Sequence, residues 1–170
     1  GGAATVAVTS TLAHIAESHA ALTTSGTIRG PLFSARLALG ERILTSFLNH
    51  ASLVREFAQG GKMRMAKECG DVETAVKSSL RLGGAETEAF KAAKAFKSLV
   101  LLPTESIDGS PLLREVPDRV LLHHLYSRAP QDLSTPAKRA SLNAAQYASW
   151  LTKKASDAEI WRGGKGKLDV

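Results

Sequence analysis

The sequence predicts an all-α fold: an antiparallel helical bundle or helical-rod segment of about six helices. Three observations carry that expectation. Apolar residues recur at three- and four-residue spacing through most of the chain. No segment sustains apolar/polar alternation with β-branched residues, the signature of a strand. Aromatics make up only 5% of an alanine-rich chain, which suits helices packed closely through small side chains. Short connections marked by glycine and proline imply antiparallel neighbours.

Val8, Leu12, Ile15, His19 and Leu22 follow 4-3-4-3 spacing and form the face of a first helix. The stretch from Ser25 to Pro31, with two glycines and a proline, breaks it. A second helix is predicted from about Phe33 to Phe57, with the stripe Phe33, Leu37, Gly40, Leu44, Phe47, Ala51 and Val54. A glycine on that stripe costs about 1 kcal/mol relative to alanine, so Gly40 points to close approach of a neighbouring helix. Gly60-Gly61 reads as the end of this element, because glycine tolerates the left-handed conformation of a C-cap.

Met65, Cys69, Val72, Val76 and Leu80 line a third helix, and Gly83-Gly84 makes the next turn. A fourth carries Phe90, Ala93, Phe96 and Val100, with Lys91, Lys94 and Lys97 on a neighbouring strip. A loop from Pro103 to Pro111 follows. The fifth helix should begin near Pro117, face Val120, Leu121, His124 and Leu125 inward, and end before Pro130. Thr135-Pro136 reads as N-cap and first residue of a sixth, with Ala140, Ala144, Tyr147 and Leu151 on one face. Asp157 is placed to cap a short final turn holding Ile160 and Trp161. The expected organisation is one helical-rod domain over residues 1–163 and an irregular tail over 164–170. The start at Gly1 and the unpatterned end read as part of a longer chain.

A chain of 170 residues with 44% apolar content can build a core, burying roughly 68–70% of its unfolded surface. No apolar run reaches the ~20 residues needed to span a bilayer. Val6 to Leu12 is interrupted by threonine and serine with no basic segment before it, so no signal peptide is expected. Cys69, the single cysteine, precludes an intrachain disulfide and fits a reducing compartment. The net charge of +6 is uneven, with residues 103–133 net acidic and residues 134–170 net basic.

No pattern points to chemistry. His14 and His19 are five apart and share no helix face well; His123 and His124 are adjacent and point in different directions. All four read as surface or boundary histidines. There is no H-E-x-x-H and no cysteine pair, so no metal site is expected. Gly60-Gly61-Lys62 and Gly163-Gly164-Lys165 lack the phosphate-loop spacing. Cys69 lies on an apolar stripe and reads as a small core residue. Ser34, Ser46 and Ser52 have no strand-to-helix elbow around them. Glu86 and Glu88 diverge on a helix. The expectation is no catalytic, cofactor-binding or metal-binding residue, and no enzyme. Lys91, Lys94 and Lys97, and the set Lys138, Arg139, Lys153 and Lys154, read either as solvated faces or as contacts for an acidic partner or anionic lipid. No aromatic interleaves the first strip to stack bases. A small basic helical domain binding nucleic acid or anionic surfaces is the alternative reading of function.

The segment Phe47 to Glu68, FLNHASLVREFAQGGKMRMAKE, resembles the C-terminal region of the fifth subunit of the conserved oligomeric Golgi complex, a helical-rod vesicle-tethering family. Similarity to that family is close over Ile43–Arg55 and Gly60–Ala66 and looser over Leu32–Leu39. It continues through Asp71–Val76, Lys94–Leu101, Tyr126–Pro130 with Leu133, Ser134 and Pro136, Ser149-Trp150-Leu151, and Ile160–Gly163. Order and spacing are kept over residues 32–163. Lys67–Gly70 departs from the family's more apolar continuation, and Ser98 replaces a proline. The resemblance implies a structural and interaction subunit acting in retrograde intra-Golgi transport, peripheral on the cytosolic face of Golgi membranes. The implied partners are other subunits of the complex, particularly the seventh. No cofactor, catalysis, nucleic acid or small-molecule substrate is implied. The matching positions are mainly helix stripes and turns, whose plainest role is packing.

Overall fold

In the computed structural model, residues 29–54, 59–129 and 133–154 are described, together with Ser10 and His14, both helical. Six α-helices follow one another: α1 (Arg29–Ala51), α2 (Gln59–Ser79), α3 (Glu88–Leu101), α4 (Asp118–Arg128), α5 (Pro136–Arg139) and α6 (Ala144–Lys154). Two 3-10 turns, Thr104–Ser106 and Pro111–Arg114, occupy the predicted loop and its continuation. No strand occurs among the described residues, and the all-α expectation holds. The predicted first helix, apart from those two positions, lies outside the described residues. So do the final turn at Asp157, Ile160 and Trp161 and the tail.

The core is where α1, α2 and α3 meet. Leu44 and Leu48 of α1 pack with Cys69, Val72 and Val76 of α2 and with Phe90, Phe96, Leu99 and Val100 of α3. Ile107, Val116 and Val120 close one end. Gly40 sits on the buried face of α1, as its place on the stripe predicts. A Cβ there would stand 3.0 Å from Leu82 Cδ1 and 3.1 Å from Val76 Cγ1, so only glycine lets the helices approach this closely. Between α2 and α3 the chain reverses through Arg81 (φ 52°) and Gly83 (φ 59°), with Leu82 N–H donating to the Lys77 carbonyl at 3.0 Å. The predicted Gly83-Gly84 turn is therefore present. A smaller cluster of Ala140, Tyr147 and Leu151, flanked by Leu53, Leu122 and Trp150, joins α4, α5 and α6 to the end of α1.

Four expectations about the helices need correction. The second predicted helix stops at Ala51 rather than Phe57. Ser52, Leu53 and Val54 form turns there, and Val54 is 43% exposed. Ser52 Oγ donates to the Asn49 carbonyl at 3.0 Å, the local competition through which serine weakens a helix ladder. Gly60-Gly61 is then no C-cap: both residues lie in the first turn of α2, and a Cβ on Gly60 would meet nothing within 4 Å. In α4, Leu125 faces outward at 40% exposure. The buried stripe is Val120, His123, His124 and Ser127, whose spacing is helical but whose members are mostly polar. The start of α4 at Asp118, with Pro117 as N-cap, agrees with the expected start near Pro117.

The predicted sixth helix is two. Thr135 caps α5 as expected, its Oγ1 accepting from Lys138 N at 3.2 Å. The helix then ends at Arg139, and Ser141 turns the chain with a positive φ of 57°. Asn143 starts α6 afresh. Asn143 Oδ1 accepts from Gln146 N at 2.8 Å, and Gln146 Oε1 accepts from Asn143 N at 3.0 Å, a reciprocal capping pair.

Candidate functional site

Polar contacts concentrate along the inner face of α4. Arg128, in its last turn, reaches the C-terminus of α3. Nη1 donates to the Leu102 carbonyl at 2.7 Å, and Nη2 donates to the Leu99 and Val100 carbonyls at 2.9 and 3.0 Å. The last carbonyls of a helix have no intrahelical partner and carry partial negative charge, so a planar guanidinium suits them on both counts. Arg128 Nε donates to His124 Nε2 at 2.8 Å. That bond fixes His124 as a neutral ring with its proton on Nδ1. Burial, then the nearby Arg128 and Lys62 charges, push its pKa down to about 4. The ring also meets Phe96 edge-on at 5.3 Å.

His123 turns the other way. Its Nε2 lies 3.0 Å from the Tyr147 hydroxyl of α6, and the two rings meet at 5.4 Å and 89°. Tyr147 in turn stacks on Trp150 at 5.6 Å. Burial, with Arg119 second, lowers His123 to about 4, and burial raises the Tyr147 phenol to about 12. The two histidines do diverge, as their adjacency implies. They are not surface or boundary residues, however: His123 is 2% and His124 1% exposed. Burial keeps both rings neutral at pH 7. Each links α4 to a different neighbour, His124 to the end of α3 and His123 to α6.

Beside His123 a groove of about 400 Å³ opens between the end of α1, α4 and the α5–α6 corner. Leu53, Tyr126, Ala137 and Leu142 give it mainly apolar walls, and Lys138 stands at its margin. It is a shape that holds an apolar side chain, and no carboxylate or thiol of the described residues lines it.

The remaining sequence candidates are dispersed. Cys69 is a core thiol, its pKa pushed up to about 12 by burial foremost and by Glu68. Ser34 and Ser52 donate to backbone carbonyls of Gly30 and Asn49. On α3, Lys91 pairs with Glu88 at 3.0 Å and Lys94 pairs with Glu86, while Lys97 Nζ lies over Gly70. The hydrogen bond from Lys94 lowers the Glu86 carboxyl. Two cations of that strip are thus already matched by carboxylates, which also accounts for Glu86 and Glu88. Among the described residues no three His, Cys, Asp or Glu side chains gather as metal ligands. No described helix is long and apolar enough to cross a membrane. Arg128 carries the densest polar contacts and Tyr147 the bond to His123, and the sequence assigned neither a polar role. The available signal was the i, i+4 pairing of His124 with Arg128.

The chain is similar to conserved oligomeric Golgi complex subunit 5 of Arabidopsis thaliana, with 38% identity over 135 residues, 77% of this chain and 16% of that protein. It is similar to the subunit of the same name in Mus musculus, with 27% identity over 140 residues, 82% of this chain and 17% of that protein. The chain thus spans about a sixth of the length of the curated relatives it matches. No family model and no solved structure matches it.

Proposed function

We infer from the chain's membership of the conserved oligomeric Golgi complex subunit 5 family that it serves as a structural part of a Golgi vesicle-tethering subunit. Its work is to hold partners, not to transform a substrate. The finer reading is a role in retrograde intra-Golgi transport, in a complex peripheral to the cytosolic face of Golgi membranes, with other subunits, particularly the seventh, as partners. The observation that carries the proposal is the 38% identity spread over 135 residues, more than three-quarters of the chain. The helical core and the Arg128 clamp agree with it, because a scaffold must keep its helices in fixed relation under load.

Affinity purification of the full-length chain from cells, with the associated subunits identified by mass, tests this reading. The expected result is co-recovery of Golgi-complex subunits, the seventh among them. Recovery of none would overturn it, and recovery without the seventh would remove the named partner. The nucleic-acid alternative finds less support, since Lys91 and Lys94 are engaged by Glu88 and Glu86. It requires a steep fall of affinity with added salt.

A further inference from the structure

Charge is distributed very differently in the two halves of the described bundle. From Gln59 to Asp118 basic and acidic residues are equal in number. Many of them meet: Arg64 with Glu68, Lys67 with Asp71, Lys77 with Glu73, Lys91 with Glu88 and Lys94 with Glu86. From Arg119 to Lys154 the sequence holds Arg119, Arg128, Lys138, Arg139, Lys153 and Lys154 against a single carboxylate, Asp132. Lys138 and Arg139 are exposed on α5, and no carboxylate among the described residues pairs with either. Lys138 lines the mainly apolar groove with Leu53, Tyr126, Ala137 and Leu142, and Arg139 is the next residue along α5.

We propose that this groove, with Lys138 in its lining and the exposed Arg139 next to it on α5, docks an acidic segment of a partner protein that inserts an apolar side chain. The volume of about 400 Å³ accommodates one or two large aliphatic or aromatic side chains, the anchor of a short segment. The two cations supply the complementary charge that orients such a segment and speeds its encounter. A concave site fits a peptide better than a lipid surface. A membrane would call for a broad basic or apolar plane, and the exposed large apolar residues Phe33, Val54, Met63, Leu101, Leu125 and Leu133 are spread over four helices and connecting loops. The proposal stands independently of any Golgi role.

The test uses the full-length chain in its native assembly. A photo-cross-linking amino acid replaces Lys138, and the same residue replaces Arg64 on α2 as a control. Products are identified by peptide mass. The expected adduct is specific to position 138, on a partner peptide carrying several carboxylates beside a large apolar residue. Lys138→Glu with Arg139→Glu, both surface changes, should lower recovery of that partner at least tenfold. Reversing the partner's carboxylates to lysine should restore it. Cross-links only to lipid, only within the chain, equal at both positions, or absent would overturn the proposal. So would a charge-reversed variant that retains the partner. Undiminished recovery of the cross-linked partner after the double change refutes this docking site alone, whereas absence of Golgi subunits with the unmodified chain refutes the tethering reading alone.

Discussion

Removing the guanidinium of Arg128 should cost more stability than any other single change on the polar face of α4. Arg128→Met keeps the aliphatic stem and deletes the donors. The carbonyls of Leu99, Val100 and Leu102 then lose partners at 2.9, 3.0 and 2.7 Å, and His124 Nε2 loses its donor. A hydrogen bond to a charged group contributes about 1.5–3 kcal/mol, but bonds sharing one side chain are not additive and water replaces some of them. About 3 kcal/mol for the whole clamp is a reasonable magnitude, equivalent to roughly 6–12 °C in Tm at this chain length. Arg128→Lys separates charge from geometry. An ammonium keeps the charge at the α3 terminus but cannot present the planar fork to three carbonyls, so it should recover about half of the loss. Urea denaturation followed by far-ultraviolet circular dichroism measures both variants against the parent. A loss below about 0.5 kcal/mol for the methionine variant, or a lysine variant equal to the parent, would refute the clamp.

The buried histidines predict acid sensitivity. Both rings have folded pKa values near 4, against 6.5 for the ordinary group. The unfolded chain therefore binds more protons between those limits, and stability falls as pH drops from 6.5 toward 4. The loss should approach about 2 kcal/mol per ring by pH 5, and denaturation midpoints constant from pH 7 to 5 would contradict it. Gly40→Val should destabilise by about 2 kcal/mol or more through contact with Val76 and Leu82, whereas Gly60→Ala should be neutral or stabilising by up to ~1 kcal/mol. Equal thermal shifts for the two would restore Gly60 as a residue whose position only glycine can fill. Cys69 should react with a thiol reagent only on unfolding, and rapid labelling of the native chain at pH 8 would show the thiol is not in the core.

The fold class was legible because apolar spacing is a local property. The α2 stripe of Cys69, Val72 and Val76 and the α3 stripe of Phe90, Phe96 and Val100 are the core observed. Gly40 was legible for the same reason: a glycine on an otherwise apolar face signals a close neighbour. The Thr135 cap and the Gly83 turn follow from side-chain and backbone chemistry within a few residues. Boundaries were harder. Gly60-Gly61 has two local solutions, a cap or a first helical turn, and the early turn at Ser52 selects the second.

The sequence alone determined an all-α fold with a Gly40 contact and a core cysteine. It also carried the family resemblance. Tertiary structure decided which face of α4 is buried, because Leu125 could be left exposed only once Arg128 was drawn to the α3 carbonyls and His123 to Tyr147. It also set Lys138 in a groove whose walls come from three separate stretches of chain. Such pairings join residues more than twenty positions apart, and helical periodicity carries information only over a few turns.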